Sequence, residues 1–218
     1  MSTRERIISA SLTLFNEQGE RRVTTNHIAA HLEISPGNLY YHFRNKRAII
    51  FELFERYERR ILDILSLPDG RMVDSNDKLR YLTDVFRELW EYRFMHRDME
   101  HLLGEDPALQ GRYQAFFRHC LKQIASIYQA LTAAGILSAS DRDCEDLALN
   151  TWIVVTSWFS FLNCHLLKTG EDTVTQEMLQ GGIYQVFSLE RAYLTEAHRD
   201  AVQALQEQFI PRPPWLGC

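Results

Sequence analysis

Residues 24–46 constrain the fold of this chain most strongly. Two short segments with helical apolar spacing occur there, and only the three residues 33–35 separate them. In the first segment Ile28 and Leu32 lie one helical turn apart, and a threonine ahead of them, Thr24 or Thr25, offers an N-cap oxygen. Two short helices joined by so tight a turn are typical of a helix-turn-helix.

The second segment begins with strong helix-start signals. Ser35 is a good N-cap, and Pro36 occupies the first helical position, where a missing N–H costs nothing. Leu39 and Phe43 lie one turn apart and are predicted to face inward. The outer side then presents a small, polar N-terminal end that can enter a major groove, so the pattern predicts a DNA-binding protein. The alternative is an antiparallel helix pair in an ordinary bundle, with half-buried tyrosines.

From Thr25 to Lys46 the chain carries an Ile-Ala pair, an S-x-G-x-L-Y-x-H-F core and an Asn-Lys ending. This run resembles the DNA-binding domain of the TetR family of bacterial transcriptional repressors, and the resemblance covers roughly the first fifty residues. One departure is Glu33, where the family usually has glycine. A non-glycine residue in a left-handed turn costs about 1 kcal/mol, so we expect a slightly strained turn.

The resemblance implies roles for particular side chains. Four are expected to hold phosphate, namely Thr25, Tyr40, His42 and Lys46. Five belong to the second helix of the motif, the recognition helix, or to its cap, and are expected to meet base edges, namely Ser35, Pro36, Gly37, Asn38 and Tyr41. Asn38 can donate and accept at once, which favours adenine.

Charge and length fit an all-α protein of two parts. Residues 1–50 carry seven Lys and Arg against four Glu, a net charge of +3, whereas the remainder carries −8 and the whole chain −5. We predict a three-helix DNA-binding domain over 1–47, and a larger helical ligand-binding and dimerisation domain over 48–218. A helix from about 46 to 66 is predicted to link them and to transmit rotation from one end to the other.

Breaks at glycine, proline and threonine divide the rest of the chain into further helices. They are predicted near 77–95, 96–104, 108–134, 141–169, 173–190 and 195–209. The proline-rich tail 211–218 is not expected to be helical.

Two late segments, 147–167 and 178–194, are apolar on more faces than one monomer core can bury. The resemblance implies a homodimer built from the last two long helices, which would present two recognition helices to a near-palindromic double-stranded operator. The alternative is that both segments lie inside the core of the larger domain.

Aromatic residues of the larger domain suggest a pocket for an apolar or aromatic effector. Phe86, Trp90 and Phe94 are predicted to form one helical stripe at four-residue spacing. Other aromatic residues can converge on that stripe, namely Tyr113, Phe117, Trp152 and Phe159. The same residues can equally form an ordinary core. The resemblance implies that a bound inducer misplaces the recognition helices and releases the operator.

Other functional classes find little support. The chain has no G-x-S-x-G, P-loop or H-E-x-x-H motif, so we expect neither an enzyme nor a bound cofactor. The four cysteines, Cys120, Cys144, Cys164 and Cys218, show no C-x-x-C pair or zinc-site spacing, so no metal is expected. The apolar run 152–167 is predicted to be too short and polar to span a membrane, and a cytoplasmic location is expected. A helical enzyme or a protein-interaction bundle without DNA binding is the alternative.

Overall fold

The computed structural model describes residues 1–166 and 173–210, which form α-helices and short turns and contain no β-strand. The prediction of an all-α fold is confirmed. The helices in these ranges are α1 Thr3–Gln18, α2 Thr25–His31, α3 Pro36–His42, α4 Lys46–Ile64, α5 Ser75–Glu91, α6 Arg93–Glu105, α7 Pro107–Ala133, α8 Asp141–Leu166, α9 Gln176–Glu190 and α10 Glu196–Glu207.

The chain forms two compact units. The first contains Met1–Arg60 and Tyr92–Gln114, and the second contains Ile61–Glu91 and the described residues from Ala115 onward. We call the segment 1–47 the head. The first unit therefore contains the head and further residues. Because α4 and α7 each belong to both units, these two helices pass from one unit into the other. The functional boundary at residue 47 stays a prediction.

The head is built around a small apolar core. Helix α1 begins after Ser2, whose side chain accepts a hydrogen bond from the backbone N–H of Glu5, and it ends at Gly19 with a φ of +87°. Glycine suits that position because a side chain would be strained there. The fully buried members of this core are Ile7, Phe15, Val23, Ile28 and Leu39.

The predicted aromatic stripe along residues 86–94 is wrong. Helix α5 ends at Glu91, Tyr92 leaves helical geometry with φ −108° and ψ 30°, and α6 begins at Arg93. Phe94 therefore lies in the first unit, where its ring centroid is 5.2 Å from that of Phe15 and its backbone N–H donates to Asn16. The break depends on this contact with α1, which periodicity cannot reveal.

One predicted boundary also changes near the end of the chain. Helix α9 begins at Gln176, not 173, because the side chain of Thr175 accepts from the backbone N–H of Met178 at 3.2 Å and caps it. The predicted continuation of α8 to 169 and the tail 211–218 lie outside the described residues.

Within the second unit α9 packs closely on its neighbours at a glycine. A Cβ atom added to Gly182 would lie 2.5 Å from Phe86 and 2.9 Å from Trp158. The backbone of α9 therefore approaches its neighbours closely at this glycine. Phe86, at 1% exposure, is thereby a core side chain of this unit.

A polar network that sequence reasoning missed crosses the same core. Lys78 of α5 pairs with Glu190 of α9, and both side chains are almost fully buried. The hydroxyl of Tyr128 donates to Glu190 at 2.7 Å and lies 2.7 Å from the hydroxyl of Thr151. Since buried charges need partners, this network fixes how four helices meet.

Helix α8 leaves an apolar stripe uncovered. Leu149, Ile153 and Phe161 are 43%, 51% and 38% exposed and recur at four-residue multiples. Residues 152–166 of the apolar run belong to a helix of 26 residues, so the expectation that the run is too short to span a membrane is wrong on length. By length and composition Asp141–His165 could cross a membrane, with 33% of its most apolar window buried. The core helix of a soluble protein can have the same length and composition.

Candidate DNA-binding site

The N-terminus of α3 is held rigidly by its own first residues. The Ser35 side chain accepts from the backbone N–H of Asn38 at 3.1 Å, and Pro36 occupies the first helical position. A Cβ atom on Gly37 would meet nothing nearer than Ser35 at 3.9 Å. The small size of Gly37 is thus not required by packing within the chain, and it leaves room for a ligand to approach the backbone.

The two faces of α3 differ sharply in exposure. Leu39 is completely buried and Phe43 nearly so, as predicted, and they dock the helix on the head. The opposite face is exposed at Ser35, Pro36, Gly37, Asn38, Tyr40 and Tyr41. Tyr41 is 85% exposed, and its ring is nearly perpendicular to that of His42, with centroids 5.1 Å apart. So large an exposed ring is unusual for a side chain that only packs.

The turn before α3 carries the expected strain. Glu33 has a φ of +55°, which places it in the left-handed region. The turn is closed by backbone hydrogen bonds from Glu33 to Ala30 and from Ile34 to Ala29. These bonds hold α2 and α3 at a fixed angle, so the strained residue serves the geometry of the motif.

Thr25 and Tyr40 act together. Their hydroxyl oxygens are 3.0 Å apart, which ties the N-terminus of α2 to the middle of α3. Thr24, one residue earlier, is the N-cap of α2, and its side chain accepts from the backbone N–H of His27. Thr25 and Tyr40 were predicted to be two separate phosphate contacts. In the structure their hydroxyl groups form one pair beside the N-terminus of α2, which is a favourable place for an anion.

Lys46 faces inward. Its ammonium donates to the backbone oxygens of Glu20 and Val23 at 3.0 and 3.1 Å, and it pairs with the Glu20 carboxylate at 2.7 Å. These three acceptors match the three donors of an ammonium group. The geometry favours a structural role that fastens residues 20–23 to α4. The phosphate contact predicted for Lys46 stays a prediction, and it would require the ammonium to leave these partners.

Two exposed arginines adjoin the helices of the motif in sequence and were not among the predicted contacts. Arg44 follows the recognition helix directly, and Arg22 lies just before α2. The signal that could have found them is the position of each basic residue next to a helix of the motif.

Ion pairs fasten α4 to α1. Arg56 donates to both carboxylate oxygens of Glu5 at 2.7 and 2.8 Å and to Glu52 at 2.7 Å, while Arg4 donates to Glu52 at 2.6 Å. The hydrogen bond from Arg56 lowers the pKa of Glu5, and the bond to Glu5, reinforced by that to Glu52, raises the pKa of Arg56. Helix α4 is therefore fastened to α1 of the head by three charged side chains of α1 and α4 around Arg56.

The side chains predicted to bind an effector are divided between the two units. Phe94 and Tyr113 belong to the first unit, where Tyr113 packs on Phe54 with ring centroids 6.1 Å apart. Phe117 and Trp152 belong to the second unit, and their centroids are 5.2 Å apart. The remaining predicted residues in the second unit are Phe86, Trp90 and Phe159, of which Phe86 and Phe159 are buried. The ligand role of these residues stays a prediction.

Two protein-family models match this chain. Residues 7–53 match the model described as bacterial regulatory proteins of the tetR family, and residues 56–202 match a model for a bacterial transcriptional repressor, TetR. The tetracycline repressor of class A from transposon 1721 in Escherichia coli is 45% identical over 49 residues, 22% of this chain and 23% of that repressor. The chain thus matches about a quarter of the length of that curated relative.

Solved structures match nearly the whole chain. A TetR-family transcriptional regulator from Marinobacter aquaeolei VT8 is 46% identical, covers 97% of this chain and 100% of its own, and has a TM-score of 0.89. A transcriptional regulator from Saccharomonospora viridis, solved in complex with choline, is 17% identical with a TM-score of 0.66 over 88% of this chain and 98% of its own. That second likeness shows the fold alone. The protein belongs to the TetR family of bacterial transcriptional regulators, which are DNA-binding proteins and not enzymes.

Proposed function

We propose that the protein binds a near-palindromic operator as a homodimer and represses transcription until a small apolar or aromatic effector releases it. The observation that carries the DNA-binding part is the exposed, rigidly capped face of α3. Ser35 to Asn38 offer a small polar surface for base edges, and Tyr41 supplies an exposed ring beside it. The exposed Arg22 and Arg44 add positive charge just before α2 and just after α3 in the chain, and they are further phosphate contacts in the proposal.

Two substitutions separate base reading from phosphate binding. Tyr40→Phe removes one hydroxyl of the Thr25 pair and should weaken binding on all sequences alike, by threefold to tenfold for a hydrogen bond of about 1 kcal/mol. Asn38→Ala should instead change preference at one base step, where a bidentate contact is worth about 1–3 kcal/mol.

The measurement is fluorescence anisotropy of the full-length protein on a selected duplex and on a set of single-base variants. Tyr193→Phe and Asn76→Ala are matched controls in the second unit and should change neither affinity nor preference. A sequence-independent loss for Asn38→Ala together with a base-specific change for Tyr40→Phe would show that the DNA-facing side of α3 is misassigned.

Dimerisation is assigned to the uncovered face of α8. Leu149, Ile153 and Phe161 form an exposed apolar stripe, and water contact of such a stripe is unfavourable at about 25 cal/mol per Å². A second copy that covers the stripe with its own would give a two-fold interface, as the family resemblance implies. This arrangement also accounts for the apolar character of α8 in a cytoplasmic protein.

Release by an effector is assigned to α4 and α7. Arg112 of α7 donates to Glu55 and Glu58 of α4 at 2.6 Å each, within the first unit. Further along α7, Phe117 packs on Trp152 in the second unit. An effector that binds beside this aromatic pair and displaces α7 would pull α4, and α4 carries the head. Choline bound to the Saccharomonospora viridis regulator supports a small-molecule effector in general.

The effector part is tested by titrating a panel of aromatic and apolar compounds into the complex of protein and operator. At least one compound should release the DNA from the wild-type protein. Arg112→Met should weaken that response while the compound still binds. Release that is unaffected by Arg112→Met would remove α7 from the mechanism.

A further inference from the structure

The first unit contains a cleft of about 340 Å³ that none of the predicted effector residues lines. It lies between the segment after α1, the start of α4 and the α6–α7 corner. The lining residues are Glu20, Arg21, Lys46, Arg47, Ile50, His101, Leu102, Glu105, Asp106 and Leu109. A volume of this size falls in the range of sites for small molecules.

One oxygen at this cleft lacks a hydrogen-bond partner. Glu20 is only 4% exposed, and its Oε1 pairs with Lys46. Its Oε2 is buried and accepts no hydrogen bond from any described residue. Nε2 of His101 is 3.9 Å away, beyond hydrogen-bond distance. A buried acceptor left in this state costs about 1–3 kcal/mol, so a donor placed there is favoured.

The remaining walls suggest the rest of the ligand. Ile50, Leu102 and Leu109 are buried side chains that give the cleft an apolar floor. Two more carboxylates, those of Glu105 and Asp106, line it. Arg47 is already paired with Glu105 at 2.9 Å. We propose that the cleft binds a small organic cation, with an ammonium group on Glu20 Oε2 and a compact apolar body on this floor.

Binding here would act on the head directly. Glu20 and Lys46 are the pair that fastens residues 20–23 to α4, and Arg47 to Glu105 links the start of α4 to α6. A cation that fills the cleft would hold these segments together and alter the affinity for DNA. This site is separate from the effector site proposed beside Trp152, because the two share no residues.

The test uses benzylamine as the probe and needs no DNA, so its outcome is independent of the proposed function. Saturation-transfer NMR and calorimetry on the full-length protein should show binding of benzylamine, with benzyl alcohol and benzoate at least about tenfold weaker. Glu20→Gln should weaken benzylamine about tenfold, equivalent to about 1.4 kcal/mol. Glu207→Gln, an exposed carboxylate of the second unit, should leave binding unchanged.

A second variant guards against misfolding of Glu20→Gln. His101→Trp places a large ring at the mouth of the cleft, on a side chain that is 34% exposed, without removing the pair of Glu20 and Lys46. It should abolish benzylamine binding while the circular dichroism spectrum stays that of the wild type. Binding of benzoate as tight as that of benzylamine, or benzylamine binding that survives His101→Trp, would overturn the proposal.

Discussion

Replacement of Lys46 by methionine tests whether this residue fastens the head or contacts DNA. The wild-type ammonium has three acceptors, two backbone oxygens at residues 20 and 23 and the carboxylate of Glu20. Methionine keeps the length and the apolar stem of the side chain but removes the charge and all three donors. The Glu20 side chain, only 5% exposed, then keeps its charge without a cation at hydrogen-bond distance.

The expected loss of stability follows from that burial. Removal of one partner of a buried ion pair costs about 3–5 kcal/mol because the other charge is left uncompensated. The Lys46 side chain is 28% exposed, so water already reaches part of the pair. We therefore expect Lys46→Met to lower the free energy of unfolding by about 2–3 kcal/mol.

Urea denaturation at pH 8 measures this loss. The double variant with Glu20→Gln should be less unstable than the sum of the two single variants, with a coupling of at least about 1 kcal/mol. Separately, the salt dependence of DNA affinity should keep its slope in Lys46→Met, because a structural lysine releases no counterion from the phosphate backbone.

The opposite set of results would refute this reasoning. Additive single effects, with a loss below about 0.5 kcal/mol for Lys46→Met, would show that the ammonium is not committed to Glu20. A salt slope reduced by about one unit would instead assign Lys46 to a phosphate.

Three further predictions follow from strain, burial and exposed surface. Glu33→Gly removes the strain of a left-handed backbone, and this gain exceeds the entropy cost of a glycine. Urea denaturation should therefore show that the free energy of unfolding rises by about 0.5 kcal/mol, whereas a decrease would mean that the turn carries no strain. Burial lowers the pKa of His96 to about 4, so the unfolded chain binds more protons between pH 6.5 and 4. As the pH is lowered from 6.5 to 4, the free energy of unfolding should therefore fall by on the order of 3 kcal/mol. This pH-dependent loss should be absent in His96→Phe. Ile153→Glu should convert the dimer to a monomer in analytical ultracentrifugation, whereas Met72→Glu, an exposed apolar residue outside α8, should not; a dimer that survives Ile153→Glu would move the interface elsewhere.

The helix-turn-helix could be predicted because its signals are local. Ser35 and Pro36 set the start of α3 through their own side chains, and the spacing of Leu39 and Phe43 identifies the buried face. The strained conformation of Glu33 was expected from the family resemblance, because the family usually has glycine at this position of the turn. Each of these inferences concerns residues only a few positions apart, which is the range over which sequence patterns report structure.

Features that depend on distant contacts could not be predicted. The break at Tyr92 follows from the capture of Phe94 by Phe15 and Asn16, about eighty positions earlier in the chain. Lys46 turns inward because residues 20–23 present acceptors to it. No periodicity in the sequence signals either event, since Tyr92 and Lys46 both fit an ordinary helix by propensity.

The buried pair of Lys78 and Glu190 is a further contact that the sequence could not predict. More than a hundred positions separate the two residues, and a charged side chain in a helical pattern is normally interpreted as exposed. Helix α5 buries its lysine only because α9 supplies the carboxylate and Tyr128 completes the network.

Selection of duplex DNA from a randomised library by the full-length protein tests the central claim most directly. We predict enrichment of an inverted repeat whose half-sites lie about one or more helical turns apart, bound with an affinity that falls steeply as salt rises. The same selection with a variant that carries Asn38→Ala and Tyr41→Ala should yield no such repeat. A wild-type protein that enriches no sequence and binds no duplex at low ionic strength would contradict the account.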